Sequence, residues 1–328
     1  MNQNKPTYKQ QGNVGLFDSD ETMERLNKMG NPLDKLSKTV DFEMFRDTLE
    51  KGLYKEKFTN VGAKPYDYVL MFKIVVLQRM YHLSDPQTEY QIRDRLSFRD
   101  FLGLASGDKV PDEKTIWAFK EELTKKGLFE QLFDKFYAFL EENNLIMHEG
   151  TMIDGSFVEV PRQRNTREEN KQIKEDKGGE LWNPEEGDTE EEKKRKFIKK
   201  GVTTTASEHD SKPVKQLVDE NDRGEDLLAD SAYIGKGVKR VMRKFGMKDK
   251  VIKRNTRGKK ISKWQETINR KNSKLRARVE HVFGFMEESL HGMSSRVVGF
   301  ARNAAYNTLT NLVYNLCRYE QVMRLGMN

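Results

Sequence analysis

Apolar positions repeat with a helical period through much of the first half of the chain and switch to a strand-like alternation after Gly150. From Phe42 onward, MFRDTLEKGLY, PYDYVLMFKIVVLQRMYHL, TEYQIRDRLSFRDFLGL, PDEKTIWAFKEELTKKG and LFEQLFDKFYAFLEENNL predict a run of helices. Pro65 suits a first helical turn, and Asp112 followed by Glu113 suits a helix start. Turns fall at Ser84-Asp85-Pro86, from Gly103 to Pro111 and at Gly127. Residues 1–40 lack sustained periodicity and read as a weakly ordered arm, which leaves a helical domain over 41–145. Arg93, Arg95 and Arg99 lie close together there, a pattern that suits a helix-turn-helix DNA reader and a plain bundle equally well.

After Gly150, TMIDGSFVEVP places Met152, Asp154, Ser156 and Val158 on one face of a strand and Ile153 and Phe157 on the other, with Pro161 ending it. A carboxylate in mid-strand needs a cation or an ion-pair partner, because an unpaired charge in a core costs several kcal/mol. Residues 162–200 are polar and charged throughout, with six acids among the eight residues from Glu185 to Glu192, and read as a disordered insertion. Order is expected to return with a short strand in VTTTASEHD around Val202–Thr205, then a helix across KPVKQLVDEN. A second strand, DLLAD, closes on Asp230 before the turn-like SAYIGKG, and a third strand, DKVIKRN, comes after it.

The stretch NRKNSKLRARVEHVFGFMEESL, from Asn269 to Leu290, predicts an amphipathic helix whose buried stripe is Leu275, Val279, Val282, Phe283, Met286 and Leu290. Arg276, Glu280 and Glu287 project beside that stripe, so a carboxylate there can sit at the rim of a core. An ordinary surface pair four residues apart gives the same pattern.

At 328 residues, 36% hydrophobic and 34% charged, the chain has room for about two domains with wetted surfaces. No apolar run is long enough to span a bilayer and the N-terminus is too polar for a signal peptide, so a cytoplasmic protein without membrane partners is expected. The single Cys317 excludes an internal disulfide and a cysteine-rich zinc site, and its setting in LVYNLCRY suggests a buried side chain. The net charge of +7 conceals an asymmetry: from Lys236 to Arg278 eleven Lys and seven Arg face only Asp249 and Glu266, a local charge of +16. Such a concentration suits a polyanion, nucleic acid above all, although a solvated basic face looks the same in sequence.

The segments MIDGSFVEVPRQ, TTASEHDS, LLADSAYIG and NRKNSKLRARVEHVFGFM occur in the order of the sequence blocks of bacterial insertion-sequence transposases of the DDE type, and the chain resembles the insertion-sequence-5 group from near Phe42 to about residue 318. The resemblance implies a mixed α+β protein: a helical N-terminal domain contributing to DNA binding, then a ribonuclease-H-like catalytic domain over 146–318 and a tail over 319–328. It also implies that Asp154, Asp230 and Glu280 form the DDE triad and hold two Mg2+ or Mn2+ ions, and that Arg276 belongs to the helix signature around the glutamate. Three carboxylates from two strands and a helix suit these hard, oxygen-seeking cations. Arg162, Lys253, Arg254, Arg270, Lys274, Arg276 and Arg278 are the candidate contacts to double-stranded DNA, and joining two element ends calls for a homo-oligomer. Asp210 and Tyr233 lie in the blocks beside the site, where each serves either the site or local packing.

Two departures qualify the resemblance. The group commonly has tyrosine seven residues before the glutamate and lysine seven after it; here Ser273 and Glu287 stand there. The group also carries a hairpin with a Tyr-Gly-Tyr-Lys-like motif between the first aspartate and TTASEHDS, where this chain has only the charged stretch ending KRKFIKKG. A sheet lacking part of its strands is therefore expected, with 163–200 unpaired and strand transfer weak or absent. Three functions are compatible with the sequence: an active transposase, a catalytically inactive DNA-binding relative, and a helical interaction or RNA-binding protein.

Overall fold

The computed structural model describes residues 18–54, 64–105, 107–146, 150–156, 158–160, 197–255 and 260–326. Arg162 and residues 163–196, with the pairing expected of them, lie outside the described residues, and so does Phe157.

Helices α1 (Asp18–Lys28) and α2 (Pro32–Thr39) occupy most of the described part of the expected arm, residues 18–40. Asn31 caps α2 by accepting from the Leu33 amide, Pro32 opens it, and Leu33 and Leu36 are buried; one two-turn helix is too short to display a period. A 3-10 turn at Phe42–Phe45 leads into α3 (Arg46–Leu53). Helix α4 (Tyr68–Met80) starts three residues after Pro65, because the Asp67 carboxylate accepts from the Val69 and Leu70 amides. It is apolar nearly all round and forms the centre of the bundle. Ser84 and Gln87 form a capping box on α5 (Asp85–Asp94); Arg95 then leaves the helical region and separates it from α6 (Leu96–Leu102). Asp112 caps α7 (Glu113–Lys125), as expected, and α8 (Leu128–Glu142) begins after the left-handed Gly127.

The arginines proposed as a DNA reader are engaged locally. Arg93 pairs with Glu89, Arg95 stacks on Phe98 with 5.0 Å to the ring centroid, and Arg99 donates to the Ala105 carbonyl.

The sheet among the described residues has three parallel strands, β1 (Thr151–Ile153), β2 (Asp226–Ala229) and β3 (Lys248–Asp249), in that order. β1 stops well short of the predicted strand, and Glu159 instead pairs with the Met293–Ser295 backbone. The β3 ladder continues past Asp249 through bonds from the Lys250 and Ile252 amides to the Leu227 and Ala229 carbonyls. Between β1 and β2, α9 (Val214–Leu217) is a single turn where a longer helix was expected. The strand expected at Val202–Thr205 is absent from the described structure, since this segment is tied to a helix by side chains rather than to a ladder. Asn315 donates to the Ile198 carbonyl and accepts from its amide, and Asn307 donates to Thr203.

Between β2 and β3 runs α10 (Lys236–Phe245), absent from the sequence reading although Val238, Val241, Met242 and Phe245 recur at helical spacing. It packs with α9 over Ile153, Leu227 and Ala229 to form the smaller of two cores. Helix α11 (Lys263–Glu288) carries the Glu280 segment. Its stripe is buried only toward the C-terminal end, at Met286 and, just past the helix, Leu290, while Leu275 is exposed. The N-terminal half is anchored by a polar contact: the buried Asn272 side chain donates to the Lys250 carbonyl.

Helix α12 (Phe300–Arg324) belongs to the larger core, packed against α8, α2, α4 and α7. It continues through residue 318, so the expected tail is helical as far as Arg324, with Tyr319, Glu320 and Val322 buried. Arg79 of α4 is 2% exposed and donates to Thr310 on α12 and to the Leu290 carbonyl beyond α11, which joins the bundle to the helix bearing Glu280.

Candidate active site

Parallel pairing of β1 with β2 aligns Ile153 with Ala229, so the next residues in register, Asp154 and Asp230, leave the strands side by side at their C-terminal ends. The two carboxylates are held differently. Asp230 turns back to cap the adjoining 3-10 turn, accepting from the Ala232 amide at 2.8 Å. Asp154 accepts from its neighbour Gly155 at 3.0 Å and from Arg276 Nη1 at 2.7 Å.

Arg276 reaches this point from α11, and its Nη2 donates at 3.0 Å to Glu280, one turn along the same helix. A single guanidinium therefore bridges the strand carboxylate and the helix carboxylate. The Asp154 side chain is only 15% exposed, whereas that of Glu280 is 63% exposed. Burial pushes the Asp154 carboxyl above its ordinary range; the Gly155 hydrogen bond and the Arg276 charge oppose that shift, and the Asp230 and Glu280 charges add to it.

Asp210 and Tyr233 complete the surroundings. A Cβ added at Gly155 would lie 3.4 Å from the Tyr233 hydroxyl and 3.6 Å from Asp210 Cγ, so the backbone passes close to both. The buried Tyr233 hydroxyl is held protonated, first by burial and then by the negative charges of Asp154, Asp210 and Asp230. Beside these groups a cavity of about 660 Å3 extends between β1, the 197–206 segment, α11 and the start of α12, lined on its apolar side by Val279, Val282 and Phe283.

Among the DNA-contact candidates, the Lys253 backbone is bonded in both directions to the Asn269 side chain, next to Arg270. Arg254, Arg270 and Lys274 are exposed, Lys253 lies 3.9 Å from Asp249, and Arg278 is in α11 with its side chain outside the described residues. Within the basic stretch from Lys236 to Arg278, five residues not named individually as contacts form a regular surface: Lys236, Lys239, Arg240, Arg243 and Lys244 are exposed on α10, opposite its buried Val238, Met242 and Phe245. Among the described residues none of the five is paired with a carboxylate. The helical spacing that reveals α10 would also have revealed this face.

Among the described residues no three acidic, histidine or cysteine side chains already stand as a metal-holding group. The donor set of Asp154, Asp230 and Glu280 is nevertheless all carboxylate oxygen, and a positive group, the Arg276 guanidinium, sits against two of its members. Both observations fit a hard divalent cation.

A helical bundle beside a small parallel sheet, with acids at adjacent strand ends and a further acid on a helix, is consistent with a ribonuclease-H-like DDE domain. Residues 147–316 match the family described as Transposase DDE domain, and residues 21–122 match Transposase domain (DUF772). The chain belongs to the DDE transposase family. No solved structure matches it.

Proposed function

We propose that this chain binds the ends of its own mobile element, in the manner of the insertion-sequence-5 group it resembles, and catalyses metal-dependent DNA strand cleavage and strand transfer. The observation that carries the reading is the convergence of Asp154 and Asp230, at adjacent strand ends, with Glu280 across Arg276. Asp154, Asp230 and Glu280 would hold Mg2+ or Mn2+, which when bound activates an attacking oxygen and neutralises charge on the leaving one. The protein's own residues then position the acids. The β1–β2 register sets Asp154 against Asp230, the Asn272 anchor fixes the height of α11, and Tyr233, held protonated, keeps a neutral hydroxyl among the acids. In cleavage, water attacks phosphorus as the P–O3′ bond breaks, leaving a 3′-hydroxyl and a 5′-phosphate. In transfer, that 3′-hydroxyl attacks a phosphodiester of the target. The basic face of α10 and the exposed Arg254, Arg270 and Lys274 supply backbone contacts.

The test uses purified protein, Mg2+ and a labelled duplex carrying an element end. Asp154→Asn, Asp230→Asn and Glu280→Gln are each expected to reduce cleavage by about a thousandfold or more while salt-dependent duplex binding persists. Cleavage that survives Asp154→Asn would reject the assignment. A second reading, DNA binding without cutting, is favoured by Glu287, an exposed acid where the group commonly has lysine; it predicts binding and no cleavage by the unaltered chain.

A further inference from the structure

We propose that Arg276 is a resting-state counter-ion that competes with divalent metal for Asp154 and Glu280, so that metal enters only as the guanidinium leaves. The inference rests on the reading of those carboxylates as the metal site, and concerns how that site is kept before DNA and metal arrive.

Three observations carry it. First, Arg276 engages both acids at once, Nη1 to Asp154 at 2.7 Å and Nη2 to Glu280 at 3.0 Å, so it takes up oxygens a metal would need. Second, the Asp154 side chain is only 15% exposed and leaves its strand end beside Asp230, with Glu280 across the same guanidinium. Without a cation such a cluster repels itself; with one it is held ready. Third, the seat does not satisfy the arginine completely. The Arg276 Nε is buried without a hydrogen-bond partner among the described residues. An unmet buried donor on a charged group makes the bound arginine less stable than a fully paired one. Glu280, at 63% exposure, is the more accessible arm, where an incoming ion would first displace the guanidinium. A divalent ion and a guanidinium cannot share these oxygens at such distances without like-charge repulsion, and the released side chain becomes a free cation beside the DNA path.

Arg276 is thus a positioning residue with a sign that distinguishes it from a structural one. A residue that merely braces the site would, on removal, weaken metal binding; a competitor would strengthen it. The experiment measures Mn2+ affinity of the full chain without DNA, by calorimetry and by the electron paramagnetic resonance signal of free Mn2+. It compares the unaltered protein, Arg276→Gln, Arg276→Lys, Asp154→Asn and the Arg276→Gln/Asp154→Asn pair. The expected result is about tenfold tighter binding in Arg276→Gln, a smaller gain in Arg276→Lys, which spans one acid rather than two, and loss of the gain in the double variant. Unchanged or weaker binding in Arg276→Gln, with binding still lost in Asp154→Asn, overturns the competition and leaves the metal site standing. Binding indifferent to Asp154→Asn overturns the metal-site reading and the inference with it. If Arg276→Gln does not fold, Arg276→Lys decides the question alone: a gain supports competition, and no gain rejects it.

Discussion

At Cys317 the chemistry of a single side chain is set by burial more than by charge pairing. Its thiol, 2% exposed, is pushed up to about 12 by burial, with the Glu320 charge adding to the shift. The thiolate is the reactive form, so at pH 8 to 9 the folded protein is expected to resist iodoacetamide and to react only as fast as it opens. Linkage gives the sign: the folded state holds the proton more tightly than the unfolded one, so this group begins to destabilise the fold only as pH rises above the ordinary value of 9.0. Rapid alkylation under native conditions would contradict the packing around α12. A second residue, Asn315, is fully buried and satisfies both backbone groups of Ile198. Asn315→Leu leaves an amide and a carbonyl unpaired, and a loss of about 2 kcal/mol or more is expected in chemical denaturation. A loss under about 0.5 kcal/mol would mean the 197–205 segment is not anchored there.

At the scale of elements, α10 converts a diffuse basic stretch into a surface. Its five exposed cations share one face because three apolar residues claim the other. Replacing Lys239, Arg240 and Arg243 by Gln is expected to lower the slope of log affinity against log salt by up to about 2.7, if each meets one phosphate. An unchanged slope would place the DNA elsewhere. The capped helices with long apolar stripes were legible in the sequence: Asp112 before α7 and the apolar α8 need only local rules. The place of Asp230 at the close of its strand was legible too, since an acid ending a short apolar run stands out, whereas Asp154 was expected in mid-strand and stands just past the end of β1. Features that depend on distant partners were not legible. The Val202–Thr205 run has strand-forming residues but lies against Asn307 and Asn315. Leu275 continues a stripe yet is exposed, because the N-terminal half of α11 meets β3 through Asn272. Arg276 was readable as the partner of Glu280 four residues on, but its bond to Asp154 spans 122 positions of sequence.

For the molecule as a whole, α12 is the element that the division at residue 318 misjudges. Its last turns put Tyr319 and Val322 into the bundle, where full burial of each side chain is worth about 1.5–3 kcal/mol. Ending the chain at residue 318 is therefore expected to lower the melting temperature by more than about 5 °C or to abolish cooperative unfolding, as differential scanning calorimetry would show. A truncated chain that melts like the full one would make those residues dispensable. The same helix brings together parts of the chain made far apart in time. α2 to α8 leave the ribosome first, yet their core stays open on one side until α12 has been made. At about 5–20 residues per second, the 182 positions from Glu142 to Arg324 take roughly 10–35 s to synthesise. Through that interval the nascent protein lacks both its completed bundle and the Thr310 partner of Arg79. The packing of α2, α4, α7 and α8 is accordingly completed only by a helix made long after them.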